Sequence, residues 1–367
     1  MALKLASDRV LFVAVVLLVA TGLLMIYSAS AMQIYLPAAG APTFPYFFLV
    51  KQAIAVFLGL GLALLALLVD YRRLNNPAVI GAGLFVLVAA LVIVLFRVPI
   101  NGTRRWIDVG VFSVQPSEFA KVGLVIALAA LLSRREGELE NPTRTLLPVA
   151  GLLVLLSGLV LLQPDFGTAM TYFAIAAAML FFAGLRFRWF LGAALLLIPT
   201  LSVYVLSASY RRDRIVAFLH PESDPLGKGF QSLQSLIAVG TGGLTGLGLG
   251  EGKQKLFFLP YPYTDFIFAI VGEELGLVGC VFVLALFGLV FARGIRAAVG
   301  APDLFGRLLG VGLAVMIVAQ ALVNISVVLA LLPTKGIPLP FLSYGGSALW
   351  TNLLAVGILL NLSQHAS

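Results

Sequence analysis

Long apolar runs separated by short polar segments make up most of the chain. A helix needs about 20 predominantly apolar residues to cross a bilayer core of about 30 Å, and about ten runs approach or exceed that length. They lie at residues 8–31, 47–69, 77–97, 116–133, 145–163, 166–185, 188–208, 265–292, 304–332 and 342–362. The pattern predicts an all-α polytopic membrane protein with about ten transmembrane helices, folded as a single integral-membrane domain over residues 1–367.

One polar, glycine-rich segment breaks this pattern between the seventh and eighth spans. Residues 209–264 are predicted to form a large, partly structured extracellular loop that ends where Asp265 enters the eighth span. Seven glycines lie between residues 240 and 252. They suit close approach of backbone N–H groups to a ligand, and they equally suit re-entrant packing of the backbone against the helices.

Composition and charge agree with a membrane location. The chain is 61% hydrophobic and 11% charged, with a net charge of +8, which excludes a soluble globular protein. Basic residues follow alternate spans, and the other side has none between residues 31 and 46. By the positive-inside rule, both termini are predicted to be cytoplasmic.

Some basic residues fall on the predicted outer side. Arg104 and Arg105 lie between spans three and four, while Arg212 and Arg214 lie near the start of the long segment. Positive charge on the translocated side opposes the insertion bias, so these arginines predict an outward cavity for a phosphate-bearing anion. For the long segment the alternative is that long loops translocate regardless of charge.

A few ionisable residues interrupt apolar segments, where they are costly and normally face a polar cavity or each other. Asp265, at the mouth of the eighth span, is the first candidate for a reactive group. Glu118 and Lys121 are three residues apart on one helix face, which predicts either a structural salt bridge or a role in positioning a substrate. Asp165 fits a helix N-cap as well as a ligand group.

The motifs of several enzyme classes are missing. The two histidines, His220 and His365, form no metal-ligand spacing, and no phosphate-binding P-loop or nucleophile elbow is present. A lone carboxylate beside cations can act as a general base in group transfer from a lipid-phosphate donor. The same features suit a transporter, although the two halves of the chain show no inverted repeat.

Several long motifs resemble the SEDS family (shape, elongation, division and sporulation), over nearly the whole chain. They are Asn101–Asp108, Gln115–Lys121, Asp224–Gly227, Gln231–Ser235, Thr264–Ala269, Gly272–Gly276, Gly336–Phe341 and Ser343–Ser347. The chain is most similar to the members that serve cell elongation. The resemblance implies a peptidoglycan glycosyltransferase that polymerises lipid II at the outer face of the bacterial inner membrane. It also implies a class B penicillin-binding protein as the transpeptidase partner, and nothing indicates a nucleic acid.

The resemblance assigns roles residue by residue. The family's essential aspartate matches Asp265, and its glutamate and lysine on the fourth span match Glu118 and Lys121. Tyr261 and Tyr263 stand where many relatives have glutamate and histidine, so no role is carried over to those two positions.

A mechanism follows as a hypothesis from the residues and the resemblance together. Asp265 would deprotonate the acceptor hydroxyl, and undecaprenyl pyrophosphate would leave with inversion. Its negative charge would be neutralised by cations from the set Arg104, Arg105, Arg212, Arg214 and Lys121. A divalent cation is a further expectation, without assigned ligands. A lipid II flippase is the main alternative, and a scaffold that only recruits the transpeptidase is the third.

Overall fold

The computed structural model describes residues 7–31, 44, 46–99, 103–110, 112–207, 209–220, 229–256, 258–260 and 262–366. Twelve α-helices and one two-stranded antiparallel sheet form the regular structure of these residues. The helices are α1 (Arg9–Ser30), α2 (Phe47–Leu68), α3 (Pro77–Leu95), α4 (Pro116–Ser133), α5 (Leu147–Leu162), α6 (Phe166–Phe182), α7 (Phe187–Leu206), α8 (Ser209–Leu219), α9 (Phe230–Thr241), α10 (Ile267–Val299), α11 (Leu304–Val328) and α12 (Gly346–His365). The strands are β1 (Ile107–Val109) and β2 (Phe112–Val114).

The predicted all-α polytopic membrane fold is confirmed. Eight helices of the described part of the chain are long and apolar enough to cross a membrane, namely α1 to α5 and α10 to α12, with α5 extended by the turn Pro142–Leu146. Two shorter apolar helices, α6 and the first part of α7, occupy the sixth and seventh predicted spans. Helix boundaries follow polar caps: Asp8, Asn76 and Asp303 accept hydrogen bonds from the first N–H groups of α1, α3 and α11.

Burial separates central helices from peripheral ones. In α4, α11 and α12 about two thirds or more of the most apolar stretch is buried, at 72%, 67% and 78%, whereas α2 and α3 bury only 17% and 11%. The first group therefore forms the core of the bundle, and the second presents most of its surface to lipid. Helix α12 packs against α2, α10 against α11, and α1 against α10.

Helix α10 is broken in its interior, at Gly276, which has φ 65° and ψ −161°. The backbone after α9 runs alongside the break and pairs with it. Leu247 N donates to Glu273 O at 3.0 Å, Gly248 N to Glu274 O at 3.1 Å, and Leu277 N to Gly243 O at 3.0 Å. Main-chain groups freed by the break are thus paired inside the protein, as a membrane interior requires. The glycine-rich run is therefore a re-entrant segment packed against the helices.

A buried ion pair fastens this re-entrant segment. Lys255 Nζ lies 2.6 Å from Glu274 Oε1, and the two side chains are 4% and 0% exposed. Ser28 on α1 donates to the same carboxylate at 2.7 Å. Lys255 is a basic residue of the long segment, but Glu274 compensates its charge, so Lys255 does not contribute to an outer anion cavity.

Two helices and one β-hairpin of the described residues lie outside the predicted spans. The long segment contains α8 and α9, so it is partly structured. A hairpin of β1 and β2 precedes α4, with Ile107 opposite Val114, and the sequence pattern did not predict it. Gly110, with φ 69°, supplies the left-handed residue that the tight turn needs.

Alanine substitutions at two neighbouring glycines test the re-entrant packing. At Gly242 the backbone leaves no room for a side chain, because a Cβ there would lie 1.9 Å from Gly272 O. At Gly240 there is room, because a Cβ would meet nothing within 4 Å. We expect Gly242→Ala to reduce stability by about 1–3 kcal/mol or more, because overpacking forces backbone shifts. Thermal unfolding in detergent measures the effect.

Gly240→Ala is the matched control. Gly240 lies in the last turn of α9, and alanine favours a helix over glycine by up to about 1 kcal/mol, so the melting temperature should stay the same or rise. Equal melting temperatures for the two variants would contradict the packing described for residues 242–248.

Candidate active site

A cavity of about 450 Å³ opens at the end of the bundle where α2, α4, α6, α10 and α12 begin. Helix N-termini carry partial positive charge, so five of them around one cavity favour an anionic ligand. The cavity is lined by Phe48, Lys51, Gln52, Ala55, Arg105, Trp106, Phe112, Ser113, Gln115, Glu118, Thr168, Tyr263, Thr264, Asp265, Gly336, Pro338, Tyr344, Gly345, Gly346, Ser347 and Ala348.

Asp265 lies in the cavity wall, half-buried, two residues before α10 begins. Its main-chain oxygen accepts a hydrogen bond from Asn324 Nδ2 at 2.8 Å. The same amide nitrogen donates to Ile337 O at 2.7 Å, so one buried side chain of α11 joins both irregular segments of the wall. Gly336 leaves room for the carboxylate, since a Cβ there would lie 3.0 Å from Asp265 Oδ2.

The segment between α11 and α12 is held against the backbone beside Asp265. Ser343 Oγ donates to Thr264 O at 2.5 Å and accepts from Leu339 N at 2.8 Å. Tyr344 N donates to Tyr263 O at 2.9 Å. Such pairing fixes two non-helical stretches that would otherwise leave main-chain groups unsatisfied in a membrane interior. The reactive-group candidate therefore lies on a rigid wall.

Three aromatic rings complete one side of the wall. Phe48 lies 4.5 Å from Tyr263 and 5.2 Å from Tyr344 between ring centroids. Phe266 and Phe268, which follow Asp265 in the sequence, are buried in the core. Tyr261 lies outside the described residues.

Of the described residues, two cations line the cavity, and one of them was not predicted. Arg105 donates its Nε to Gln163 O at 3.1 Å and an Nη to Pro164 O at 2.5 Å, which orients the guanidinium. Lys51 on α2 is the second, with its Nζ 4.6 Å from the centroid of the Phe47 ring. Lys51 escaped notice because it lies inside the predicted span 47–69. A charge within an apolar span was the available signal.

Glu118 and Lys121 form the salt bridge that their spacing predicts. Lys121 Nζ lies 2.8 Å from Glu118 Oε2, with the two side chains 2% and 4% exposed. Lys121 also donates to Gln320 Oε1, and Gln320 Nε2 donates to Pro338 O at 2.9 Å. Glu118 lines the cavity, while Lys121 lies behind it and is not part of the lining. The pair therefore connects the cavity floor to α11.

Three other predicted site residues, Asp165, Arg104 and Arg212, do not line the cavity. Asp165 caps α6, accepting from Thr168 N at 3.2 Å, and lies 3.9 Å from Arg105 Nη1, so it is an N-cap behind the wall. Arg104 is exposed and donates to Leu95 O at 2.9 Å, which directs its guanidinium away from the cavity. Arg212 is exposed on α8 and does not line the cavity. The side chain of Arg214 lies outside the described residues.

The carboxylates of the described residues do not form a metal cluster. Among the described residues, no group of three or more His, Cys, Asp or Glu side chains lies close enough to hold a metal ion. Asp265 and Glu118 are the two carboxylates in the cavity lining. The divalent cation stays a prediction without assigned ligands.

Comparison with known proteins finds matches along the whole chain. The profile of the FtsW, RodA and SpoVE family, described as cell cycle proteins, matches residues 8–367. A probable peptidoglycan glycosyltransferase FtsW of Trichlorobacter lovleyi is 43% identical, over 97% of this chain and 93% of the relative. Stage V sporulation protein E of Bacillus subtilis is 42% identical, over 99% of this chain and 98% of the relative.

Solved structures share the fold. One match has a TM-score of 0.79 and 35% identity, and it covers 98% of each chain. It comes from a peptidoglycan synthase complex, in work on how that complex coordinates polymerization and crosslinking. The crystal structure of the Thermus thermophilus rod shape determining protein RodA matches with a TM-score of 0.70 and 31% identity, covering 98% of this chain and 97% of the other.

Removal of one charge tests the buried pair. Lys121→Met should destabilise the protein by about 3–5 kcal/mol, because Glu118 would keep an uncompensated buried charge. The double variant Glu118→Gln, Lys121→Met should be more stable than Lys121→Met alone. Thermal unfolding of the wild type, both single variants and the double variant measures the coupling.

The reversed pair gives a sharper result. We expect Glu118→Lys, Lys121→Glu to remain unstable, because a carboxylate at residue 121 would face Gln320 Oε1, an acceptor held by the bond from Gln320 to Pro338. Full recovery by the reversed pair would show that Gln320 does not set the polarity of this network.

Proposed function

Because the chain belongs to the SEDS family, the FtsW, RodA and SpoVE family of cell cycle proteins, we propose that it is a peptidoglycan glycosyltransferase that polymerises lipid II. The observation that carries the proposal is one cavity that brings a carboxylate, Asp265, together with two cations, Lys51 and Arg105. A relative named as a probable peptidoglycan glycosyltransferase, 43% identical over nearly the full length, supports it.

In the proposed reaction, Asp265 acts as general base. Its carboxylate takes the proton of the GlcNAc 4-hydroxyl of the acceptor, and that oxygen attacks the anomeric carbon of the MurNAc of the donor. The bond from the anomeric carbon to the pyrophosphate oxygen breaks, and undecaprenyl pyrophosphate leaves with the bonding electrons. A direct displacement of this kind inverts the configuration at the anomeric carbon. The hydrogen bonds from Asn324 and Ser343 hold the backbone on which Asp265 is placed.

The leaving diphosphate needs positive charge nearby. Lys51 on α2 and Arg105 on the segment before β1 both line the cavity and supply it. Preorganised cations and helix N-termini stabilise charge that develops in the transition state without reorganisation of the solvent. Arg104, Arg212 and Lys121 were candidates for the same task. Arg104 and Arg212 do not line the cavity, and the charge of Lys121 is paired with Glu118.

The orientation in the bilayer follows from charge. The bundle end opposite the cavity carries the arginines Arg9, Arg72, Arg73, Arg134, Arg135, Arg144, Arg186, Arg188, Arg293, Arg296 and Arg307. Under the positive-inside rule this end is cytoplasmic, and the cavity then opens at the outer face of the inner membrane. Asp8 N donates to Ser363 Oγ at 3.1 Å at the same end, so both termini are proposed to be cytoplasmic.

A partner and a process follow from the relatives. The match to a peptidoglycan synthase complex supports a class B penicillin-binding protein as the transpeptidase partner. The resemblance placed the chain nearest the elongation members of the family. The relatives at 42–43% identity are named FtsW and stage V sporulation protein E, and these names favour the division and sporulation branches instead.

Asp265→Asn tests the proposed base. The amide keeps the size of the side chain but cannot accept the proton, so polymerisation should fall on the order of 10²- to 10⁴-fold. The measurement is glycan-strand synthesis from purified lipid II in detergent, with the partner transpeptidase present. Glu136→Gln, an exposed carboxylate in the loop after α4, is the control and should retain full activity.

The same assay separates the alternatives. In detergent no membrane separates two sides, and a flippase makes no polymer there. If the protein were only a scaffold, replacing Asp265 would not change the amount of polymer. Wild-type protein that yields no polymer would exclude the enzyme. Polymer made equally by wild type and Asp265→Asn would remove this residue from the chemistry.

Neighbouring arginines test the anion-binding role. Arg105→Gln should reduce polymerisation about tenfold or more, since charge-assisted bonds to a phosphate are among the strong ones. Arg104→Gln, which removes the same charge one residue away but outside the lining, should change the rate less than about threefold. Initial rates at varied lipid II concentration measure both. Equal effects would indicate diffuse attraction in place of a defined contact.

A further inference from the structure

A second cavity lies at the opposite end of the bundle and has no part in the proposed chemistry. It has a volume of about 390 Å³ and lies between the turn after α2, the end of α4 and the start of α11. We call it the basic pocket. It is lined by Arg72, Asn75, Ser133, Arg134, Asp303, Leu304 and Phe305.

Two guanidinium groups in the basic pocket have donors to spare. Arg72 uses its Nε for Asp303 at 3.4 Å, and its side chain is 52% exposed. Arg134 uses one Nη for the main-chain and side-chain oxygens of Asn75. An arginine has five N–H donors in a planar fork that matches a phosphate group. Both residues therefore keep several donors for a ligand.

Asp303 is the carboxylate among the described residues of the basic pocket, and its charge is already compensated. Asp303 accepts from Tyr71 Oη at 2.5 Å and from Gly306 N at 2.7 Å, besides its contact with Arg72. Burial raises the pKa of Asp303, but these bonds outweigh it and the net effect is a lowered pKa, so the group is ionised. Two arginines against one carboxylate leave net positive charge, and the first N–H groups of α11 add to it.

Lipid-facing surface borders the pocket. Helix α2 ends four residues before Arg72 with the exposed residues Leu68 and Val69, and α3 starts just after Asn75 with exposed Val79. An anion bound between these helix ends would lie at the depth of the head groups, with apolar surface beside it for acyl chains. A soluble anion has no acyl chains and would make no contact with that apolar surface.

We propose that the basic pocket binds the phosphate group of an anionic phospholipid, with Arg72 and Arg134 as its ligands. Basic pockets between transmembrane helices are a recognised way of holding acidic head groups. The inference does not depend on the proposed glycosyltransferase activity, because it concerns the other end of the bundle and is tested by binding.

The test is native mass spectrometry of the detergent-purified full chain titrated with phosphatidylglycerol or phosphatidylcholine. We expect the wild type to retain phosphatidylglycerol in preference. Each arginine near a membrane surface contributes about 1 kcal/mol, roughly a factor of five, so Arg72→Gln, Arg134→Gln should weaken binding on the order of 10- to 30-fold. Arg73→Gln, Arg135→Gln removes the same charge from adjacent positions outside the pocket and should stay within about twofold.

A second variant covers the case in which the double arginine variant fails to fold. Ser133→Glu adds a carboxylate to the lining and keeps both arginines, and it should also lose phosphatidylglycerol. Thermal unfolding with and without the lipid, for every variant, gives an independent readout, because only a protein that binds the lipid is stabilised by it.

Three results would overturn the proposal. Equal loss in both double arginine variants would assign the binding to diffuse surface charge. Equal retention of phosphatidylcholine would show that no anionic group is selected. Stabilisation by millimolar inorganic phosphate as large as that by phosphatidylglycerol would identify a free-phosphate site and remove the lipid.

Discussion

Main-chain polar groups inside a bilayer must be paired within the protein, and this requirement shapes the part of the fold that carries the cavity. The cavity needs non-helical backbone at residues 263–266 and 333–345, because continuous helices would fill the space. Both stretches are therefore tied to each other and to α11 by Asn324, Ser343 and the pairing of Tyr344 with Tyr263. The break at Gly276 is satisfied in the same way by the re-entrant segment, through backbone alone.

Buried charges, like buried main-chain groups, are paired within the protein. The buried acids Glu118 and Glu274 are paired with Lys121 at 2.8 Å and with Lys255 at 2.6 Å. Lys121 also donates to Gln320, and Ser28 donates to Glu274. Cations that line a cavity, by contrast, keep donors available, as Lys51 and Arg105 do at one end and Arg72 and Arg134 at the other. A buried pair and a ligand-binding cation can thus be told apart by the number of N–H donors that remain unused.

Much of this could be predicted from the sequence, for physical reasons. Span length and apolarity identify the helices because the bilayer fixes both, and the three-residue spacing of Glu118 and Lys121 fixes their contact. The function of a cation was harder to predict, because the direction of a long side chain depends on tertiary neighbours. Arg104 and Arg105 are adjacent in sequence, yet Leu95 O draws one away while Gln163 and Pro164 hold the other at the cavity. Asn324 was missed because a single amide barely interrupts the apolar span 304–332, and Lys51 was missed although its charge within the span 47–69 was an available signal.

The contact between residues 242–248 and 272–277 consists of main chain against main chain. Such a contact has consequences for how the sequence can drift over generations. An ion pair can be exchanged in two steps, with a change on one side repaired by a change on the other. Where two backbones touch, no second exchange can make room for an added side chain. Suppressor mutations for a lost glycine there should consequently lie elsewhere in the protein, raising its general stability without restoring the contact itself.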